Sequence, residues 1–163
     1  SSALHKVIES DRFNSAQVYY NLLNPSSGRA VPEGWSAYDF GNVIDQCAAH
    51  QVAVMNIRVL AAGVIATDVR HGRESPVAPG GDVPADEVRT KLIVEALGDS
   101  QGTRAQLAVR YGLSNPKVSG VLVGMAELDH LYQALGAQEM GPLSNDVMDA
   151  IHALVATDFG RLG

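Results

Sequence analysis

Three short apolar segments, separated by segments with helical periodicity, constrain the fold of this chain more than any other feature. They are Ala16–Tyr20, Val52–Ile57 and Val118–Val123, and each is rich in β-branched or aromatic residues. The second and third are apolar almost throughout, which is typical of strands that are covered on both faces of a parallel sheet. We therefore predict three strands.

Helical patterns lie around and between these strands. The predicted helices cover Ala3–Ser10, Phe40–His50, Glu87–Leu97, Arg104–Tyr111, Leu128–Leu135 and a final segment that begins after Ser144. Asp39 is predicted to cap the second helix, and Thr103 with Gln106 forms a capping box at the start of the fourth. Two long segments, Asn24–Tyr38 and Thr67–Asp86, are predicted loops, and loops of that length are usually functional or disordered. Strands that alternate with helices indicate βαβ units and a parallel sheet.

The number of strands is small for a barrel. A closed (β/α)₈ barrel takes eight strands and about 250 residues, whereas this chain has 163 residues and about three predicted strands. Such a sheet would leave unpaired edges, which natural proteins avoid. We expect residues 1–163 to form one incomplete domain, a fragment of a larger fold. Either the other strands are missing from this chain or another polypeptide supplies them.

Composition excludes several classes of protein. The net charge is −6 and the 12 basic residues are scattered, so we expect no nucleic-acid or anionic-membrane partner. No apolar run approaches the roughly 20 residues of a membrane span, and no signal peptide is visible. Cys47, the single cysteine, is predicted to be a small buried residue of a cytoplasmic protein. The five histidines show no metal-ligand spacing, so no metal site is predicted.

The turn after the third predicted strand is the strongest local candidate for a binding site. Gly124, Met125, Ala126 and Glu127 precede a helix. A glycine allows close backbone approach, and the free N–H groups of a helix N-terminus bind anions. In (β/α)₈ barrels the phosphate site follows strands seven and eight. The turn therefore predicts a nucleotide phosphate site. The alternative is a purely structural turn, and the negative charge of Glu127, which would repel a phosphate, counts against the site.

Four segments resemble the aldo/keto reductase family, in the order in which they occur in that family. AQLAVRYGLSNPKVSGVLVGMAELDHLYQAL (Ala105–Leu135) is similar to its closing segment, in which an A-x-L-A-x-R helix leads to a strand and the cofactor-binding helix. AQVYYNLLNP (Ala16–Pro25) resembles the sixth strand, IRVLAAGVI (Ile57–Ile65) the seventh, and LSNDVMDAI (Leu143–Ile151) a late helix. The resemblance implies the C-terminal portion of an incomplete α/β TIM-type barrel.

The family's functional residues can be carried over only where the sequence matches. Gln17 stands where a glutamine contacts the nicotinamide carboxamide, and Ile57 stands where an aromatic residue usually stacks on the ring. Arg58 and Leu60 would flank the pyrophosphate. The adenosine end would be held by Gly124, Met125, Ala126, His130 and Gln133.

The cofactor that the resemblance implies is NADP or NAD. Met125, His130 and Ala134 replace the residues that usually grip the 2′-phosphate, so the resemblance does not fix which of the two is used. The implied reaction is reduction of a small-molecule carbonyl substrate. Trp35 is a candidate substrate contact, or it covers exposed apolar surface. Tyr19 and Tyr20 are predicted to pack on opposite faces of their strand.

No catalytic residue is predicted in this chain. The family's tetrad of Asp, Tyr, Lys and His has no counterpart here, and hydride transfer to a carbonyl needs a general acid. Whether the chain is itself an enzyme therefore stays open. The alternatives are a non-catalytic nucleotide-binding or assembly module of the same fold, and a phosphate-binding half barrel that pairs with itself as a homo-oligomer.

Overall fold

The structure is a computed structural model that describes residues 2–72, 74 and 81–162. Helices and strands alternate along this part of the chain, as predicted. In chain order they are α1 (Ser2–Glu9), β1 (Ser15–Tyr19), α2 (Val43–Ala49), β2 (Ala53–Ile57), α3 (Val83–Leu97), α4 (Arg104–Leu113), β3 (Gly120–Val121), α5 (Leu128–Met140) and α6 (Asn145–Ala156). Short 3₁₀ turns cover Ala61–Gly63 and Gly98–Gln101.

The three strands form one parallel sheet with β2 in the centre. Its register pairs Gln17 with Met55 and Tyr19 with Ile57, and it pairs Met55 with Gly120. The prediction of an α/β fold with three parallel strands is confirmed. Within the described ranges the sheet does not close into a barrel.

Helices cover one face of this sheet. Val18 and Val54 are 1% and 0% exposed, and they lie on the face against which α2 and α4 pack. Tyr20 also points to this side, where its ring stacks on Tyr111 of α4 with centroids 5.0 Å apart. Because side chains alternate along a strand, Gln17 lies on the opposite face, where it is exposed. The uncovered face is the one that lines the interior of a barrel.

The core therefore lies between the sheet and the helices. Ile44 and Cys47 of α2 are fully buried in it, together with Ile93 of α3 and Ile151 of α6. Burial raises the pKa of the Cys47 thiol, so the thiol stays protonated and behaves as a small apolar side chain. The prediction that Cys47 is buried is confirmed.

The start of α2 was predicted incorrectly. The helix begins at Val43 rather than at residue 40, and Asn42 rather than Asp39 occupies the N-cap position. Asn42 and Gly41 both have left-handed backbones, with φ of 54° and 67°, so the helix cannot extend back through them. The Asp39 carboxylate instead accepts a hydrogen bond from the Gly41 N–H at 2.8 Å.

Other element ends also differ from their predictions. Helix α3 starts at Val83, so the predicted loop that ended at Asp86 ends at Asp82; residues 73 and 75–80 of that loop lie outside the described ranges. Helix α5 runs to Met140 instead of ending at residue 135. It is the left-handed Gly141, with φ of 72°, that ends it.

Helix α4 ends at Leu113 rather than at the predicted Tyr111. Gly112 lies inside the helix, where it allows close packing. A Cβ at Gly112 would lie 2.7 Å from Asn56 Nδ2 and 3.2 Å from Val121 Cγ2. Its absence lets α4 approach β2 and β3 closely. The capping box of Thr103 and Gln106 at the start of α4 is confirmed.

Candidate functional site

The carboxyl ends of the three parallel strands lie at one edge of the sheet. The loops that follow β1, β2 and β3 therefore meet there, which is where ligands bind in parallel α/β proteins. Most of the candidate residues belong to this edge. Gln17 comes from β1, Ile57 ends β2, and Gly124 follows β3.

Gln17 presents a free amide to the uncovered face of the sheet. The side chain is exposed, and it forms no hydrogen bond with any residue that the structure describes. The sheet register places it beside Met55, which in turn lies beside Gly120. Since a side-chain amide carries both donors and an acceptor, Gln17 can pair with a second amide.

The loop after β2 has an unusual backbone. Arg58, Ala61 and Ala62 adopt left-handed conformations, with φ of 61°, 46° and 55°. Such conformations are strained for residues other than glycine and cluster at functional sites. The Arg58 carbonyl accepts a hydrogen bond from Asn21 Nδ2 at 2.8 Å, which ties this loop to the loop after β1. The Arg58 side chain is left exposed, and Leu60 packs against the core.

The turn after β3 is open. Gly124, Met125 and Ala126 are exposed, and a Cβ built on Gly124 would find no described atom within 4 Å. The Ala126 N–H donates to His130 Nδ1 at 3.2 Å. His130 thus satisfies one N–H near the start of α5, and that N–H is no longer free for an anion.

Gln133 faces α4. Its side-chain oxygen accepts a hydrogen bond from the Thr103 hydroxyl at 2.7 Å. A contact between Gln133 and an adenine ring would require this side chain to turn away from Thr103. The assignment of Gln133 to the adenosine end stays a prediction.

A cleft of about 250 Å³ lies at the carboxyl end of β1. Its charged and aromatic walls were not predicted from the sequence as a site. They include Tyr19, Tyr38, Asp82, Asp86, Arg89 and Arg161. No spacing of residues could have indicated this cleft, because it brings together β1, the start of α3 and the segment after α6.

Charge compensation in the cleft is local. Arg89 Nη1 lies 2.9 Å from Asp86 Oδ1, and Arg89 Nη2 donates to the Ser36 hydroxyl at 2.6 Å. Burial raises the pKa of Asp86, and the charge of Arg89 opposes that shift. Burial also raises the pKa of Tyr19, so its hydroxyl keeps its proton at neutral pH.

Trp35 does not line this cleft, although the three residues that follow it do. Its ring lies 6.2 Å from the ring of Phe159, and the Arg89 guanidinium sits 5.9 Å from the indole centroid. The indole Nε1 is buried without a hydrogen-bond partner among the described residues. The position of Trp35 is therefore that of a support behind the cleft.

Two further sequence predictions concern a metal site and a membrane-spanning segment. The described residues contain no group of three or more His, Cys, Asp or Glu side chains that could hold a metal ion. Across the same residues, none of the helices combines the length and apolarity that crossing a membrane requires.

A model of the aldo/keto reductase family matches residues 5–156 of the chain. The chain belongs to the aldo/keto reductase family. The resemblance found in the sequence is thus confirmed, over nearly the whole chain. No curated protein sequence matches it significantly.

Solved structures agree on the fold. The holo form of aldo-keto reductase AKR11C1 from Bacillus halodurans matches with a TM-score of 0.66 and 20% identity, over 94% of this chain and 46% of that chain. The apo form matches with a TM-score of 0.65 and 20% identity, over 94% and 47%. This chain therefore spans about half the length of that reductase, and it shares the fold of part of a reductase barrel.

The structure also explains the arginine of the A-x-L-A-x-R motif of this chain. Arg110 is 8% exposed and donates three hydrogen bonds, to the carbonyls of Gly141, Gln101 and Pro142 at 2.9, 3.0 and 3.2 Å. Two of these carbonyls lie at the ends of α5 and of the Gly98–Gln101 turn. Arg110 thus satisfies backbone acceptors that helix ends leave free.

Proposed function

We propose that this chain is the cofactor-binding, C-terminal portion of an aldo/keto reductase, and that the intact protein reduces a small-molecule carbonyl with NADPH or NADH. The placement of Gln17 carries the proposal. Its amide is exposed and unpaired on the uncovered face of the sheet, close to the edge where the three loops meet. A carboxamide is a matching partner for such an amide.

Two further features fit a dinucleotide. The open space at Gly124 leaves room for a ligand to approach the backbone of the turn after β3. The exposed Arg58 guanidinium supplies positive charge after β2, which suits a pyrophosphate. When bound, the nicotinamide would supply a hydride; the residues of this chain would hold and orient it.

The substrate would enter beside β1. The cleft at the end of this strand contains the protonated Tyr19 hydroxyl and the Asp86–Arg89 pair, and Trp35 supports it from behind. Because no residue of the chain matches the family's tetrad, we place the catalytic acid outside these 163 residues.

A non-catalytic assembly or nucleotide-binding module is the second candidate, and two contacts and one residue identity favour it. Gln133 is held by Thr103, His130 is held by the Ala126 N–H, and Ile57 offers no aromatic face. The uncovered sheet would then pack against a partner, which includes a second copy of the chain.

Fluorescence titration tests the proposal directly. The purified chain is titrated with NADPH and separately with NADH, and both Trp35 emission and nucleotide emission are followed. We expect saturable binding and a loss of about tenfold in affinity for Gln17→Ala, since a hydrogen-bonded amide pair is removed. Glu127→Gln should strengthen binding, because a negative charge is removed from the proposed phosphate site.

Gln138→Ala is the matched control, because Gln138 is exposed on α5 and makes no described side-chain contact. Its affinity should equal that of the parent chain. Absence of binding for both nucleotides, or equal losses for the variants at residues 17 and 138, would rule out a cofactor site at this edge. Hydride transfer by the intact protein would eliminate the non-catalytic candidate.

A further inference from the structure

A second cavity lies on the helical side of the sheet, away from the edge described above. It has a volume of about 430 Å³, within the range of roughly 300–1,000 Å³ that is typical of small-molecule sites. Tyr20, Arg29, Asp45, Lys117, Met148 and His152 contribute most of its side-chain wall. We call it the Arg29 pocket. It shares no lining residue with the cleft at β1 and none with the proposed nucleotide site.

Arg29 is the unusual member of this pocket. Its Nε and Nη1 atoms are buried without a hydrogen-bond partner, and it forms no ion pair with any described residue. A guanidinium stays charged at all physiological pH values. Buried donors of a charged group that lack an acceptor are unfavourable, and a polar ligand or water at Nε and Nη1 would supply one.

Other shielded arginines of the described chain show how this requirement is normally met. Arg70, Arg89, Arg104 and Arg110 are all partly or fully buried, and each donates at least one hydrogen bond to a side chain or a carbonyl. Arg29 alone among the partly buried arginines that the structure describes does not.

The neighbours of Arg29 add further positive charge and donors. Lys117 comes from the turn between α4 and β3, and His152 comes from α6. Gly28 brings the Arg29 loop against this turn, since a Cβ at Gly28 would lie 2.8 Å from Asn115 Nδ2. Two cationic side chains and an imidazole, from three separate parts of the chain, thus converge on one cavity.

Two carboxylates oppose them. Asp45 Oδ1 lies 2.7 Å from Lys117 Nζ, and both side chains are nearly half exposed. Asp149 acts on His152 from within α6. Burial is the main cause that lowers the pKa of His152, and Arg29 lowers it further while Asp149 raises it. Neither carboxylate pairs with Arg29, whose charge stays uncompensated.

We propose that the Arg29 pocket binds a phosphate group, with Arg29 as its principal contact and Lys117 and His152 beside it. The group would come either from inorganic phosphate or from a small phosphomonoester. Tyr20 and Met148 form the less polar part of the wall and could hold the organic part of an ester. Arg29 and Lys117 can donate charge-assisted hydrogen bonds to a phosphate.

The experiment measures binding to the 163-residue chain by calorimetry at constant ionic strength, with chloride as the replacing anion. The probes are inorganic phosphate and phenyl phosphate. We expect saturable binding of at least one probe, with Arg29→Gln weakening it by about tenfold or more. The probe that binds more tightly identifies the source of the group. No saturable binding of either probe would overturn the proposal.

Two variants make the test specific to this pocket. Arg12→Gln removes the same charge from an exposed arginine without described contacts, and it should change the phosphate affinity by less than about twofold. Asp45→Asn removes the opposing carboxylate, so it should tighten binding by about threefold. Equal effects of the changes at residues 12 and 29, or no gain from Asp45→Asn, would contradict the proposal.

A stability measurement guards against misfolding of the Arg29 variant. Without phosphate, Arg29→Gln should be at least as stable as the parent chain, because the guanidinium has no protein partner to lose. If it fails to fold, Arg29 has a structural role and the proposal is overturned on that ground. His152→Gln supplies an independent arm, and unchanged phosphate affinity in it would remove His152 from the site.

Discussion

Arg110→Met should destabilise the chain strongly, although Arg110 has no role in the proposed cofactor site. The guanidinium joins the carbonyls of Gly141 and Gln101 at 2.9 and 3.0 Å, and that of Pro142 at 3.2 Å. A hydrogen bond to a charged group contributes about 1.5–3 kcal/mol. Methionine preserves the apolar stem but leaves all three acceptors without this donor.

The magnitude follows from how exposed those acceptors are. Gly141 and Gln101 are partly exposed and Pro142 is exposed, so water can replace part of what is lost. Removal of a buried charge also relieves a desolvation cost. We therefore expect the free energy of unfolding to fall by about 2–4 kcal/mol rather than by the sum of three full bonds. The free energy of unfolding of Arg110→Lys should lie between those of the parent chain and Arg110→Met, because an ammonium cannot reproduce the planar geometry of the guanidinium.

Urea unfolding, followed by far-UV circular dichroism and by Trp35 emission, measures this difference from the midpoint and slope. Arg12→Met is the control, and it should stay within about 0.5 kcal/mol of the parent chain. If Arg110→Met matched that control, the three carbonyl contacts would contribute nothing measurable. The structural explanation of the A-x-L-A-x-R motif would then be wrong.

Three further outcomes can be measured in the same way. Thr103→Ala removes the hydroxyl that accepts from the Gln106 N–H at 3.2 Å, so the free energy of unfolding should fall by about 1 kcal/mol in thermal or urea unfolding. Thr103→Ser, which keeps the hydroxyl, should retain most of the parent stability. Asp158→Asn neutralises a fully buried carboxylate that accepts from the N–H and hydroxyl of Ser36, and a loss of about 2–4 kcal/mol is expected; unchanged unfolding would show that the charge is unimportant. Sulfate, whose charge is constant, should bind the Arg29 pocket more tightly as pH falls from about 8 to about 5.5, because an anion favours protonated His152, whose pKa burial has lowered; His152→Gln should abolish this dependence.

Apolar runs predicted the three strands, although β3 covers only Gly120–Val121 instead of residues 118–123, and the strand period of two predicted which side chains of β1 share a face. Once AQVYY was interpreted as a strand, Gln17 and Tyr19 had to share one face and Tyr20 the other, and the structure places Tyr20 against Tyr111 as this requires. Local capping signals were equally dependable where the partners are three residues apart, as at Thr103 and Gln106.

Contacts between distant residues could not be predicted in this way. The hydrogen bond from Thr103 to Gln133 spans 30 residues, and nothing in either segment indicates it. Likewise, Gly112 of α4 packs against Asn56 of β2, and nothing in the sequence around Gly112 indicates this contact, so α4 was predicted to end at Tyr111 rather than at Leu113. A single sequence shows which residues are free to bind, but not which of them the fold has already engaged.

The same distinction separates two arginines that look alike in the sequence. Arg110 is buried and fully supplied with carbonyl acceptors, whereas Arg29 is partly buried and has none. If hydrogen-bond acceptors determine whether a buried guanidinium stabilises the fold or binds a ligand, Arg110→Met must destabilise the protein and Arg29→Gln must not. Of these two changes, only the one at Arg29 should alter phosphate affinity. Opposite results on stability and binding from two substitutions that each remove one positive charge cannot arise from net charge. They require that the fold supplies hydrogen-bond acceptors to Arg110 and none to Arg29.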